Sequence, residues 1–266
     1  MSYIQLSLPD LAIASLLVVI NGALSLALNL GLARKLAIAS LRMVVQLLLM
    51  GFVLTWLFSQ VSLWLTLLAA MGMVMFAGQE IMARQDHRLR GWWSYGLGTG
   101  AMLMAAATVT LFALTTQVRP DPWYDPRYAI PLLGMILGNT MTGISLGLNT
   151  LSTGLRNGRT AIEARLALGD DRWLALQPLI RRSLSTALTP IINTMAATGV
   201  VSLPGMMTGQ ILGGVPPVEA VKYQILILFL IAGGTGLGAL AAIAGAAIRL
   251  TDHRHRLRLD RLEPPR

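Results

Sequence analysis

Cysteine is absent from the chain, which excludes disulfides and thiolate metal sites outright. Lysine is nearly absent: neither Lys35 nor Lys222 follows a glycine, so no phosphate-binding loop of the GxxxxGK[ST] kind exists and the chain cannot hold ATP in that way. Charged residues of every kind fill only 12% of the 266 positions against 55% hydrophobic ones, with a mean hydropathy of +0.64. That balance excludes a soluble globule and indicates a membrane protein. No polar stretch is longer than the loop around Arg156–Ser185, so no separate soluble domain is expected. Within the apolar blocks, ionisable groups are almost missing. Glu80 is the one carboxylate near such an interior, and its spacing to Arg84 reads as an interfacial ion pair. Carriers driven by ion gradients place ionisable groups in mid-membrane, so this scarcity argues for energy supplied from outside the chain.

What the chain does have is apolar blocks of about 20 residues, each able to cross a hydrocarbon core of roughly 30 Å. Seven are read: Leu8–Leu30, Ser40–Phe58, Leu63–Met82, Trp92–Thr116, Ala129–Leu151, Ala187–Leu212 and Val221–Ile248. They predict an all-α polytopic protein forming one transmembrane domain over residues 1–266, with a cytoplasmic loop at 154–186 and a cytoplasmic tail at 249–266. The first block reads as a retained anchor, since basic residues follow it and none precede it.

The net charge of +9 is distributed by loop rather than by surface patch, which argues against nucleic acid as a partner. Eighteen of the 21 basic residues fall after blocks one, three, five and seven; Arg119, Arg127 and Lys222 alone fall on the other side. By the positive-inside rule the N-terminus is outside and the C-terminus cytoplasmic.

Small residues recur at four-residue spacing in Gly96/Gly100, Gly134/Gly138, Gly143/Gly147, Gly205/Gly209/Gly213 and Gly234/Gly238, as close helix approach in lipid requires. In the first block Asn21, Ser25 and Asn29 share one helical face and are expected to hydrogen-bond a neighbouring helix.

The loop between blocks five and six is the least expected feature for a mere connector. Thr160 and Glu163 have capping-box spacing, and Ala161, Ile162, Ala164, Leu166 and Leu168 give a short amphipathic helix that Gly169 ends. Asp170 or Asp171 is placed to cap a second helix bearing Trp173, Leu174 and Leu176, and Pro178 to open a third. An apolar ridge with a basic flank suits either a groove on another protein or an anionic lipid surface. Beyond the loop, block six carries Asn193, a Thr194/Thr198/Ser202 stripe, Gln210, and a break expected at Pro204–Gly205. Block five offers Gly138, Thr142, Ser145 and Asn149 on one face with Asn139 beside them. Two polar stripes of this kind can line a path, or each hydroxyl can bond the carbonyl one turn back.

Against this background "EARLALG" at Glu163–Gly169 resembles the Glu-Ala-Ala…Gly cytoplasmic loop of ABC transporter permeases. "LRMVVQLLLMGFVL", "IPLLGMILGNTM", "ALTPIINTM" and "GVVSLPGMMTGQILGGVPPVEAVKYQI" together resemble the FetB-type (YbbM-like) family of ABC permeases from about Leu41 to Ile231. The resemblance implies the permease subunit of an ABC transporter in a bacterial inner membrane: a homodimer, not an enzyme, that binds no cofactor and works with a separate ATPase that uses ATP and Mg. It also implies iron export, while plant relatives linked to aluminium tolerance and nucleotide-sugar transport leave a non-metal cargo open. Carried over residue by residue, Thr160, Glu163, Ala164, Leu166, Gly169 and Trp173 would form the coupling helix region. Asn139, Thr142, Ser145, Asn193, Thr198, Ser202, Pro204, Gly205, Met206, Met207 and Gln210 would form the path and its hinge. Two departures stand out: Arg165 replaces the second alanine, and Asp170–Asp171 follows Gly169 where smaller residues are expected.

The spans carry almost no hard metal ligands, and Glu80, His253 and His255 are the only candidates. Methionines number 14, but a thioether in a membrane helix mostly packs, so Met206 and Met207 at the break are the two of interest. Other classes remain: an ATP-independent carrier or channel, which the lack of mid-membrane ionisable groups disfavours, and a purely structural membrane protein, which leaves the loop and the break without a purpose.

Overall fold

Turn residues, more than the apolar blocks themselves, decide where each helix starts and stops. The computed structural model describes residues 7–252, 254 and 256–263, and these are almost wholly helical, with isolated bridges but no strand. They divide into two compact units, Met1–Gln60 and Val61–Arg266.

In the first unit α1 (Leu8–Ala27) begins where the Ser7 backbone N–H donates to the Asp10 carboxylate at 2.8 Å. After α1, Asn29 (φ +51°) and Gly31 (φ +68°) reverse the chain, and the Ser25 hydroxyl accepts the Leu32 N–H at 3.0 Å. Ser25 thus serves the turn that follows its own helix. α2 (Ala33–Gln60) starts seven residues before block two, so Arg34 and Lys35 lie in its first turn. Ser25 and Leu57 are the only buried side chains described in this unit.

The second unit contains α3 (Leu63–Ala83), α4 (Trp93–Phe112, continued by a π-helical turn Ala113–Val118), α5 (Pro126–Asn157), α6 (Arg159–Ala167), α7 (Arg172–Ala197), α8 (Gly205–Leu212) and α9 (Pro217–Arg249). Its core is built on glycines. A Cβ on Gly143 would lie 2.6 Å from Thr235 Cγ2 and 3.0 Å from the Ala187 carbonyl oxygen; one on Gly238 would lie 2.6 Å from Thr140 Cγ2. The backbones of α5, α7 and α9 therefore approach closely, as the Gly143/Gly147 and Gly234/Gly238 spacings predict. Gly100, Gly138, Gly205 and Gly209 have nothing within 4 Å of that position, so these four glycines do not mark contacts.

These pairings also set direction. Gly234 lies against Ile136 and Thr140, and Gly147 against Ile243, so α5 and α9 run parallel. Gly245 meets Leu97 and Gly98 meets Ile81, which places α4 antiparallel to α9 and to α3; Gly154 meets Leu179, so α7 runs antiparallel to α5. The basic segments after α3, α5 and α9 consequently share one end of this unit.

Among the described residues six helices, α1 to α5 and α9, are long and apolar enough to cross a membrane, one fewer than the seven blocks. The exception is block six. Ala187–Leu212 is not one helix: α7 starts in the basic loop, ends at Ala197, and is separated from α8 by residues 198–204. Gly199 (φ +94°) turns the chain out of the helix, and Pro204 lacks the N–H needed to continue it. Pro178 does not open a third loop helix but lies inside α7, as does Pro190. Burial of Leu176, Ser183, Ala187 and Ile191 holds α7 together across both prolines.

Candidate coupling surface and broken helix

At the basic end α6 is short, and its boundaries follow local chemistry. Its N-cap is Gly158, not Thr160; Glu163 forms an ion pair with Arg159 at 2.9 Å, so the expected capping box is not made. Ile162 is buried and Leu166 half-buried against the core, whereas Thr160, Ala161 and Ala164 are exposed and Leu168 is 88% exposed. The helix therefore has one anchored face and one apolar face left open. Gly169 (φ +103°) turns the chain, and Asp171 caps α7 by accepting the Leu174 N–H at 2.8 Å. Arg165 donates to Asp170 at 2.8 Å and to the Ala175 carbonyl at 3.4 Å. The two departures from the family pattern are thus one feature: a guanidinium that clamps α6 to the start of α7. Its signal was an Arg and an Asp five residues apart across a glycine turn. Next to it, Asp171, Trp173, Leu174, Gln177, Ile180 and Arg181 line an open groove of about 400 Å³.

The residues read as a path are only partly brought together. Asn139 donates to the Met135 carbonyl (2.9 Å), Thr142 to Gly138 (3.0 Å) and buried Ser145 to Met141 (2.7 Å), so each bonds a carbonyl of α5 itself. Asn149 leaves the stripe altogether: its amide donates to Asp86 at 2.9 Å and its oxygen accepts the Asp86 N–H at 3.1 Å, fastening the α3–α4 loop. Thr194 and Thr198 bond the carbonyls of Pro190 and Thr194. Ser202 lies beyond the end of α7, so the stripe does not continue to it.

In the break, the Val201 and Ser202 N–H groups both donate to the Ala197 carbonyl and Gly199 donates to Ser202, a tight turn that presents Val200 (94% exposed) and Val201 (82%). Asn193 and Gly205 are exposed, Pro204 and Met207 half-buried, and Met206 packs on the core. Gln210 is half-buried, and its side-chain oxygen has no hydrogen-bond partner among the described residues.

The described residues of the tail after α9 are folded back onto the second unit. Arg90 N–H donates to the Arg261 carbonyl (2.7 Å), Glu263 N–H to Arg88 (2.8 Å) and Arg258 N–H to Leu250 (2.8 Å), while Leu257, Leu259 and Leu262 pack on the core. Asp252 accepts the backbone N–H groups of Arg254 and Arg256 and the Arg256 guanidinium. The Arg256 N–H holds the Asp252 carboxyl down to about 2, and the Arg258 guanidinium does the same for Asp260. Both lie below the ordinary 3.8, so their contribution to the docked tail is complete above about pH 4 and is lost as pH falls towards 2. Carboxyl-carbon NMR titration of the solubilised protein is expected to give midpoints near 2 for both; midpoints near 3.8 would show them unengaged.

No group of three or more metal-ligating carboxylates or histidines occurs among the described residues. Glu80 lies 3.9 Å from Arg84, and His87 Nδ1 lies 3.0 Å from the Arg156 guanidinium. His253 and His255 lie outside the described residues.

Comparison with known proteins gives this arrangement a family. Residues 8–250 match the family described as "Uncharacterised protein family (UPF0014)". A UPF0014 membrane protein of Synechocystis is 37% identical over 81% of this chain and 83% of its own, and the Arabidopsis thaliana protein ALUMINUM SENSITIVE 3 is 32% identical over 87% and 82%. The Escherichia coli "Probable iron export permease protein FetB" is 30% identical over 96% of both chains. No solved structure gives a significant match. The FetB-type resemblance read from the residues is thus borne out, and the chain belongs to the UPF0014 family.

Proposed function

We propose that the chain is the permease subunit of an ATP-driven exporter of a metal ion such as iron, working as a homodimer with a separate ABC ATPase in a bacterial inner membrane. The observation that carries this reading is similarity, end to end, to the Escherichia coli relative named as an iron export permease. The geometry supports it in two places. The outward face of α6 with Leu168, and the groove beside Trp173, offer the ATPase an apolar ridge that Arg165 and Asp170 hold rigid against α7. The break at residues 198–204 lies at the far end of that same helix, so a pull on α6 is transmitted along α7 to a point able to bend.

In this reading α7 and α8 together make a discontinuous seventh crossing, the N-terminus is outside and the basic end is cytoplasmic. Each subunit supplies half of the pathway. Thr198, Ser202 and Gln210 face the cargo near the break, Pro204–Gly205 is the hinge, and Met206 and Met207 pack around it. ATP and Mg act on the partner.

The test is iron flux in sealed vesicles containing this chain with and without its ATPase. Flux that needs both proteins and ATP is expected. Iron movement without the ATPase would mean a carrier or channel, and ATP hydrolysis without iron movement would direct the search to other cargo.

A further inference from the structure

Where α9 ends, the chain turns back on itself before it folds over the bundle. The Leu250 carbonyl accepts the Arg258 N–H, Thr251 forms a bridge with Leu257, and the Asp252 N–H donates to the Arg256 carbonyl at 3.0 Å. Between these pairs stands Arg254, exposed, with its N–H held by the Asp252 carboxylate at 2.9 Å. Asp252 is 8% exposed and also accepts from the Arg256 N–H and guanidinium, so one carboxylate anchors the turn from inside. Arg254 is thus presented on backbone that is ordered before any partner arrives, which lowers the entropic cost of binding.

A second observation sets this turn beside the groove of α7. The Arg172 guanidinium donates to the Thr251 hydroxyl at 3.5 Å, and its chain neighbours Asp171 and Trp173 both line the groove. Trp173, Leu174 and Ile180 make the groove apolar, and Arg181 lines it as well. Neither Arg181 nor Arg254 makes an ion pair among the described residues, whereas Asp171 is engaged as the cap of α7. The uncompensated charge of this corner is therefore positive.

Its position selects the partner. Arg249 stacks on Trp93 with its guanidinium 4.7 Å from the ring, a basic and aromatic pair of the kind found at headgroup level, and the turn comes after it. Further along, Leu262 packs over Leu89, Leu148, Leu151 and Ala246, so the tail crosses the end of the bundle and does not run down its flank. A surface there meets a protein of the aqueous phase.

On the permease reading given above, we infer that Arg254, held by Asp252, and the α7 groove form one docking surface for the ATPase. It fits a partner that places an apolar side chain in the groove and carboxylates against Arg181 and Arg254. The contact with the ATPase then extends past α6 to the tail.

Binding of the purified ATPase subunit to the full chain in nanodiscs tests this, with association followed at low and high salt. Arg254→Glu is expected to slow association about tenfold at low salt and less at high salt, because exposed charges act through steering that ions screen. Asp252→Ala makes the tail more positive but removes the anchor of the turn, and it is expected to slow association too. Faster or unchanged association of Asp252→Ala would overturn the inference, since net charge and not a built surface would then attract the partner. Unchanged association of Arg254→Glu would overturn it while leaving the permease reading in place; an ATPase that does not bind the unaltered chain would remove both. An Arg254→Glu effect seen with phosphatidylglycerol in the nanodisc and absent with phosphatidylcholine alone would assign the turn to lipid headgroups instead.

Discussion

Replacing Gly143 by leucine is expected to cost the helix bundle about 3 kcal/mol or more, at the upper end of overpacking effects. The added Cβ alone would sit 2.6 Å from Thr235 Cγ2 and 3.0 Å from the Ala187 carbonyl oxygen. The first neighbour is a β-branched side chain held in a 2% exposed site, and the second is helix backbone, so neither can swing aside. Gly138→Leu is the matched control on the same helix, because nothing lies within 4 Å of its Cβ position. Thermal unfolding in detergent should show a lowered transition or loss of folded protein for Gly143→Leu and a change within about 0.5 kcal/mol for Gly138→Leu. Equal behaviour would mean that close approach at Gly143 does not hold α5 to α7 and α9.

Leu168→Asp is expected to abolish transport while leaving the protein inserted and as stable as before. Leu168 is 88% exposed at the end of α6 and contributes nothing to the core, whereas Ile162 on the opposite face is buried. If the open face of α6 is where the ATPase docks, a carboxylate there removes an apolar anchor and leaves an unpaired charge in the interface. Anchors of this kind are worth about 2 kcal/mol, or roughly thirtyfold in affinity. Flux and ATPase stimulation in vesicles should both fall by at least that factor, with an unchanged unfolding temperature. Full flux in Leu168→Asp would place the partner elsewhere.

Much of the basic-end loop was legible because polar segments obey local rules. Gly169 and Asp171 mark the end of one helix and the cap of the next by backbone chemistry alone. What misled was proline. Pro178 reads as a helix start, yet α7 runs through it, since burial of Ala175, Leu176 and Ser183 along α7 outweighs one lost hydrogen bond. The Pro204–Gly205 break was foreseen in kind, but the chain already leaves the helix five residues before Pro204, at Gly199, where a positive φ was not readable from the residue type alone. Asn149 looked like part of a stripe because its spacing fits; only the fold brings Asp86, 63 residues away, to its side.

By itself the sequence determined that the chain is helical and a membrane protein, and that the basic segments after α3, α5 and α9 share an end, because run length and charge segregation register directly in composition. It also determined the family, through long strings that span the break and the loop. The tertiary structure decided which faces are inward. In lipid, core and surface are equally apolar, so no amphipathic period announces that Gly143 and Gly238 are contacts while Gly138 and Gly205 are not. The same holds for the tail: its leucines and the backbone pairing with Arg88 and Arg90 bring its described residues back onto the unit, through contacts between segments far apart in the chain.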